Sequence, residues 1–120
     1  MASVADYIVM HDGQFALNPG EARAFSEHVQ NNLIVGKNRI NPILAFKAAS
    51  TPTGFGAFRV EVNTKVIYNR SALQPGDMGG LWEVFPGSIL NPGINNTVQF
   101  RAIEKKWFFE DVVLWIQVKV

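Results

Sequence analysis

Residues 58–69 read FRVEVNTKVIYN and residues 82–102 read WEVFPGSILNPGINNTVQFRA; these two stretches decide the fold. Phe58, Val60 and Val62 alternate with Arg59, Glu61 and Asn63, so one face of the segment is buried and the other is wet. Val66-Ile67-Tyr68 is predicted to pair back on it across a turn at Asn63-Thr64-Lys65. Val98, Phe100 and Ala102 alternate in the same way with Thr97, Gln99 and Arg101. A Gly-rich loop from Gln74 to Gly80, a short strand from Leu81 to Phe85 and a turn at Leu90-Asn-Pro-Gly-Ile-Asn95 separate these strands.

Working outward, Val112, Leu114, Ile116, Val118 and Val120 alternate with Val113, Trp115, Gln117 and Lys119. That segment is too apolar for an exposed edge and is expected in the middle of a sheet. Upstream, Tyr7–Met10 is read as a first strand ended by a turn at His11-Asp12-Gly13, after which Phe15–Leu17 resumes. Asn18-Pro19-Gly20 marks a second turn. Ala22–Val29 is read as a strand rather than a helix, and Ile43–Ala48 as another, with Pro42 near its start, where a missing N–H is tolerated. Turn signals about every ten residues between short strands predict an all-β protein. The expected architecture is an antiparallel β-sandwich of jelly-roll type with about eight strands, little or no helix, and residues 1–120 in one domain.

Composition narrows the functional classes. The chain is 48% hydrophobic and 18% charged, with a formal net charge of +1. This is a globular balance, and no clustered Lys/Arg footprint for nucleic acid stands out; Lys105-Lys106 reads as a charged hairpin tip. There is no cysteine, which excludes disulfides, thiolate catalysis and Cys-based metal sites. No apolar run is long enough for a membrane-spanning helix. The start, MASVADYIVM, shows no signal peptide, so a cytoplasmic location or export by a signal-independent route is expected.

Phe58-Arg-Val-Glu-Val-Asn63, Trp82-Glu-Val-Phe-Pro86 and Ile89-Leu-Asn-Pro-Gly-Ile-Asn95 before a strand resemble the galactose-binding-like β-sandwich family. That family includes carbohydrate-binding modules and the jelly-roll accessory domains of glycoside hydrolases. The resemblance covers residues 58–118. It implies a β-sandwich and a sugar-binding role, and it supplies no catalytic residue. One departure is Asn63-Thr64 where the family has Asn-Gly, so the hairpin is not expected in the family's usual tight form.

The residues offer little catalytic chemistry. The two histidines, His11 and His28, lie far apart in sequence, no nucleophile elbow is present, and no zinc-ligand spacing occurs. No cofactor is expected; Asp77 in the Gly-rich loop is the one residue considered for calcium. Glu61 and Glu83 lie on strands and are the carboxylates that could face each other as a hydrolytic pair, against the plainer reading of solvated strand faces. The aromatics are the stronger lead, because sugar rings stack on aromatic planes while polar side chains fix their hydroxyls. Trp107-Phe108-Phe109 cannot all enter one core, since neighbours on a strand alternate. Either Phe108 or the Trp107/Phe109 pair faces outward or lies under a loop. Arg59, Glu61, Asn63, Gln99 and Arg101 are expected to share the wet faces of neighbouring strands, as a ligand floor or as ordinary cross-strand pairs.

The sequence therefore points to a noncatalytic, lectin-like module. Its candidate ligand residues are Trp82, Trp107, Phe108, Arg59, Asn63 and Arg101, its expected partners a carbohydrate and further copies of itself. The alternative is a structural protein that assembles into a homo-oligomer through its apolar surface.

Overall fold

Strands with an apolar residue at every second position bury that face by packing sheet against sheet. The computed structural model describes residues 3–34, 41–51, 54–74 and 79–120, with the backbone alone described at 54–55 and 70–74. Its strands are β1 (Ser3–Leu17), β2 (Ala22–His28), β3 (Ile43–Thr51), β4 (Gly54–Val62), β5 (Lys65–Gln74), β6 (Gly79–Val84), β7 (Asn95–Ala102) and β8 (Lys106–Lys119). They form two four-stranded antiparallel sheets, sheet A in the order β1-β8-β3-β6 and sheet B in the order β2-β7-β4-β5. Only β4 and β5 are both consecutive in sequence and hydrogen-bonded; every other connection crosses between the sheets, the wrapping of a jelly roll. Among the described residues the only helical turn is a short 3₁₀ segment, Gly87–Ile89. The expected fold class holds, and β8 is central, between β1 and β3.

Aromatic rings from both sheets meet in the middle. Trp107, Phe109, Phe46 and Phe15 come from sheet A, and Phe58, Tyr68 and Phe100 from sheet B. Phe58 stacks on Tyr68 with centroids 4.5 Å apart and tilts against Trp107 at 4.6 Å; Phe100 meets Phe109 at 4.8 Å. The Trp107-Phe108-Phe109 triplet thus resolves by strand parity. Trp107 and Phe109 point inward and are fully buried, while Phe108 takes the opposite face.

Two turn readings are corrected. Asp12-Gly13 does not end a strand: β1 runs through it for 15 residues. Gly13, at φ 92°, and Asp111 in β8, at φ 54°, lie where the β1–β8 register shifts, and Gly13 N–H donates to Asp111 Oδ1 at 3.2 Å. The Asp-Gly signal is therefore spent on a bulge, which bends a strand without reversing it. The second correction concerns Asn63-Thr64. Val62 pairs directly with Lys65, and Asn63 and Thr64 both have positive φ, 49° and 69°. This is the tight two-residue turn usually made by Asn-Gly, with a β-branched residue forced into its second position.

Candidate functional site

The solvent faces of the two sheets differ in kind. On sheet B, Arg59 of β4 pairs with Arg101 of β7, and Glu61 pairs with Gln99. These side chains share the wet face, as alternation required. Like charges directly opposite one another are unfavourable, and here each arginine has a local partner. Arg59 Nε lies 3.6 Å from Glu61 Oε1, and Arg101 Nη1 donates to the Gly20 carbonyl at 3.0 Å. Next to them lies a groove of 430 Å³ lined by Glu61, Asn63, Thr64, Asn91, Thr97 and Gln99, with Ala24 at its side.

Asn63 closes one end of this groove and is held in place by a polar network. Its Nδ2 donates to Ile89 O at 2.9 Å and to Asn96 Oδ1 at 2.7 Å, while its Oδ1 accepts from Thr97 N–H at 2.9 Å. Asn96, only 1% exposed, has every amide position satisfied. Its Oδ1 also accepts from Asn91 N–H, and its Nδ2 donates to the carbonyls of Asn91 and Ile94. The Leu90–Asn95 turn noted in the sequence is thus fastened to the Asn63-Thr64 hairpin, and Gly93, at φ 80°, supplies its positive-φ corner.

Sheet A presents the opposite chemistry. Its registers align Tyr7, Trp115, Ile43 and Val84 in one row across all four strands. The adjacent row is Val9, Val113, Ala45 and Trp82. Tyr7 is 56% exposed, Trp115 44% and Trp82 70%. Tyr7 and Trp115 lie with centroids 5.3 Å apart. A depression of 280 Å³ lies between Trp82 and Trp115 over Ile43 and Ala45. A second, of 210 Å³, adjoins Trp115 and is edged by Asn41 and Gln117.

The residues singled out from the sequence therefore do not converge on one site. Arg59, Asn63 and Arg101 belong to sheet B, and Asn63 spends its amide on the turn network. Trp82 stands on the far side of the sandwich. Trp107 does not offer a stacking surface: it is fully buried, and its Nε1 donates to Glu104 O at 2.9 Å. Phe108 is half-buried on the outer side of sheet A, with Lys106 Nζ 5.3 Å from its ring centre. Glu61 and Glu83 do not face each other. Glu61 lies on the solvent side of sheet B, whereas Glu83 pairs with the buried Leu44 on the core side of sheet A. His11 stacks on Phe25 at 4.5 Å, a packing role. Among the described residues no group of three His, Cys, Asp or Glu could hold a metal. Asp77 lies outside them. Tyr7 and Trp115, the latter one of the aromatics concentrated in the second half of the chain, are not among the ligand residues that the sequence singles out. For Trp115 the signal is the apolar character of β8 at both parities.

No family model and no curated protein matches the chain. Solved structures do. Dimeric latent PorU from Porphyromonas gingivalis superposes with a TM-score of 0.69 at 9% identity, over 99% of this chain and 13% of that one. BuGH86E322Q, solved in complex with neoagarooctaose, gives 0.69 at 14% identity, over 96% of this chain and 18% of that one. The C-terminal CBM6 of LamC, a marine laminarinase from Zobellia galactanivorans, gives 0.51 at 11% identity, over 94% of this chain and 99% of that one. The chain thus spans under a fifth of the first two proteins and nearly the whole of the third. At such identities the likeness is one of architecture: the chain shares a two-sheet β-sandwich with these structures, the CBM6 among them, and at that level the expected resemblance holds.

Proposed function

We propose that the protein is a noncatalytic carbohydrate-binding module whose ligand lies in the sheet B groove. The observation that carries this reading is the 430 Å³ groove itself, with Glu61, Thr64, Asn91 and Gln99 around it and Arg59 and Arg101 beside it. Sugar recognition needs a concave surface with a few convergent donors and acceptors that fix hydroxyl groups. A carboxylate and a primary amide directly opposite on neighbouring strands, Glu61 and Gln99, supply both. The Arg59–Arg101 pair makes carboxylated and sulfated glycans the first to try. A fold shared with a CBM6 and with a region of a protein solved in complex with neoagarooctaose supports this use.

A second reading, an assembly protein, is favoured by a different observation, the two apolar rows on sheet A. A glycan array that includes acidic sugars separates the two. The wild type is compared with Glu61→Gln, Gln99→Ala and Trp82→Ala, each checked for folding by circular dichroism. Selective binding lost in the two groove variants and kept in Trp82→Ala supports the groove. Loss in Trp82→Ala alone moves the ligand to sheet A. A folded wild type that binds no glycan ends the carbohydrate reading.

A further inference from the structure

We propose that the solvent face of sheet A is the contact surface of a two-fold homodimer, in which two copies stack sheet on sheet. This does not rest on the groove reading, which concerns the opposite face. The first argument is composition. The two cross-strand rows carry no charged side chain, and they include Tyr7, Trp82 and Trp115, the residue types that anchor protein interfaces.

The second argument is layout. The rows are flanked by polar residues, Lys47, Glu110 and Asp111 on one side, with the half-buried Phe108 beyond them, and Gln117 and Lys119 on the other. An apolar centre with a polar rim is the anatomy of an interface. At about 3.3 Å by 4.8 Å per residue, the strands of sheet A present roughly 700 Å². That is close to the ~800 Å² each partner buries in an interface of standard size.

The third argument selects a second copy as the occupant. In β8 the acidic pair Glu110-Asp111 lies on one side of Val113 and Trp115, and Lys119 lies on the other, at the strand's end. A two-fold axis across the strands near Leu114 sets Trp115 of one copy against Val113 of the other. The same operation brings Lys119 of each copy toward Glu110 and Asp111 of its mate. Asp111 is already paired with Lys47 at 3.5 Å, which leaves Glu110 as the closer match for Lys119. The face is therefore self-complementary, as an isologous contact requires. Packed face to face, the inner sheets would lie about 10 Å apart with nearly aligned strands.

Sedimentation velocity of the full chain from micromolar to submillimolar concentration tests the proposal. The wild type is expected to be a dimer. Trp115→Glu and Trp82→Glu are each expected to raise the dissociation constant by at least about a hundredfold, with unchanged circular dichroism. Trp82 is so exposed that its variant folds even where the Trp115 variant does not. Lys119→Glu should weaken the dimer about tenfold, and adding Glu110→Lys should restore it. A wild type that stays monomeric throughout, with the face left for another domain or partner, overturns the proposal. So does a dimer that persists in folded Trp82→Glu. The groove variants Glu61→Gln and Gln99→Ala should leave the dimer intact whatever they do to glycan binding.

Discussion

The two sheets of this sandwich share one core and have opposite exteriors. Sheet B follows the simplest rule for an antiparallel sheet: Val98, Phe100 and Val60 go in, and Thr97, Gln99, Arg59 and Glu61 stay in water. Sheet A breaks it. In β8, Leu114 and Ile116 face the core, yet Val113 and Trp115 on the other side are apolar as well. A strand that is apolar at both parities is built for cover on both faces, and the described residues supply cover for only one. The comparison separates two jobs that an aromatic-rich sequence blurs, namely filling a core and presenting a surface.

The largest expected effect tests that separation on one sheet. Trp107→Ala opens a large cavity beside Phe58 and Phe109, and should cost about 3–5 kcal/mol in urea unfolding. Trp82→Ala removes a side chain of equal size from the outer face of the same sheet and, measured on the monomer at concentrations below the dimer's dissociation constant, should change stability by no more than about 0.5 kcal/mol. Similar losses in the two variants would mean that the outer face already stabilises the monomer, and the contrast between the exteriors would fall.

A smaller effect is expected at the end of sheet B. Asn96→Asp keeps the shape of the side chain but cannot donate to the carbonyls of Asn91 and Ile94. Placing an acceptor against two part-buried carbonyl acceptors should cost about 1–3 kcal/mol, read as a lowered denaturation midpoint. Because this network holds Asn63 and Asn91 at the groove, glycan affinity should fall with it. A variant of wild-type stability would show that the turn is fixed by its backbone alone.

The architecture was legible because period-two alternation survives packing, and β4, β7 and β8 stand where their patterns put them. The site was less legible, for two physical reasons. Alternation places Arg59 and Arg101 on one face, but it does not say which sheet holds Trp82, because strand order crosses between sheets. A turn signal also fixes a backbone conformation and not its use. Asp12-Gly13 supplies positive φ to a bulge, while Asn63-Thr64 makes the tight reversal without the glycine that marks it. The inward fate of Trp107 is one of two parities open to the triplet, and the bulge at Glu110-Asp111 selects it: Val112, Leu114 and Ile116 are inward on one side of it, Phe109 and Trp107 on the other.

The smallest effect compares one strained residue on each sheet. Thr64 holds φ 69° in the sheet B hairpin, and Asp111 holds φ 54° in the sheet A bulge. Left-handed backbone costs an ordinary residue about 1–2 kcal/mol, and glycine relieves it at the expense of unfolded-state entropy. For Thr64, a β-branched residue in a turn that prefers Asn-Gly, relief should win, and Thr64→Gly should stabilise by about 0.5–1 kcal/mol. Asp111 differs because its carboxylate accepts from Gly13 N–H and pairs with Lys47. Asp111→Gly removes those contacts along with the strain, so its stability should stay level or fall. Paired thermal melts of the two glycine variants decide the matter. A gain at Thr64 alone means that the sheet B turn tolerates its strain whereas the sheet A bulge uses its aspartate to join β1 to β8. Equal gains at both would reduce the Asp111 contacts to incidental neighbours of a register shift.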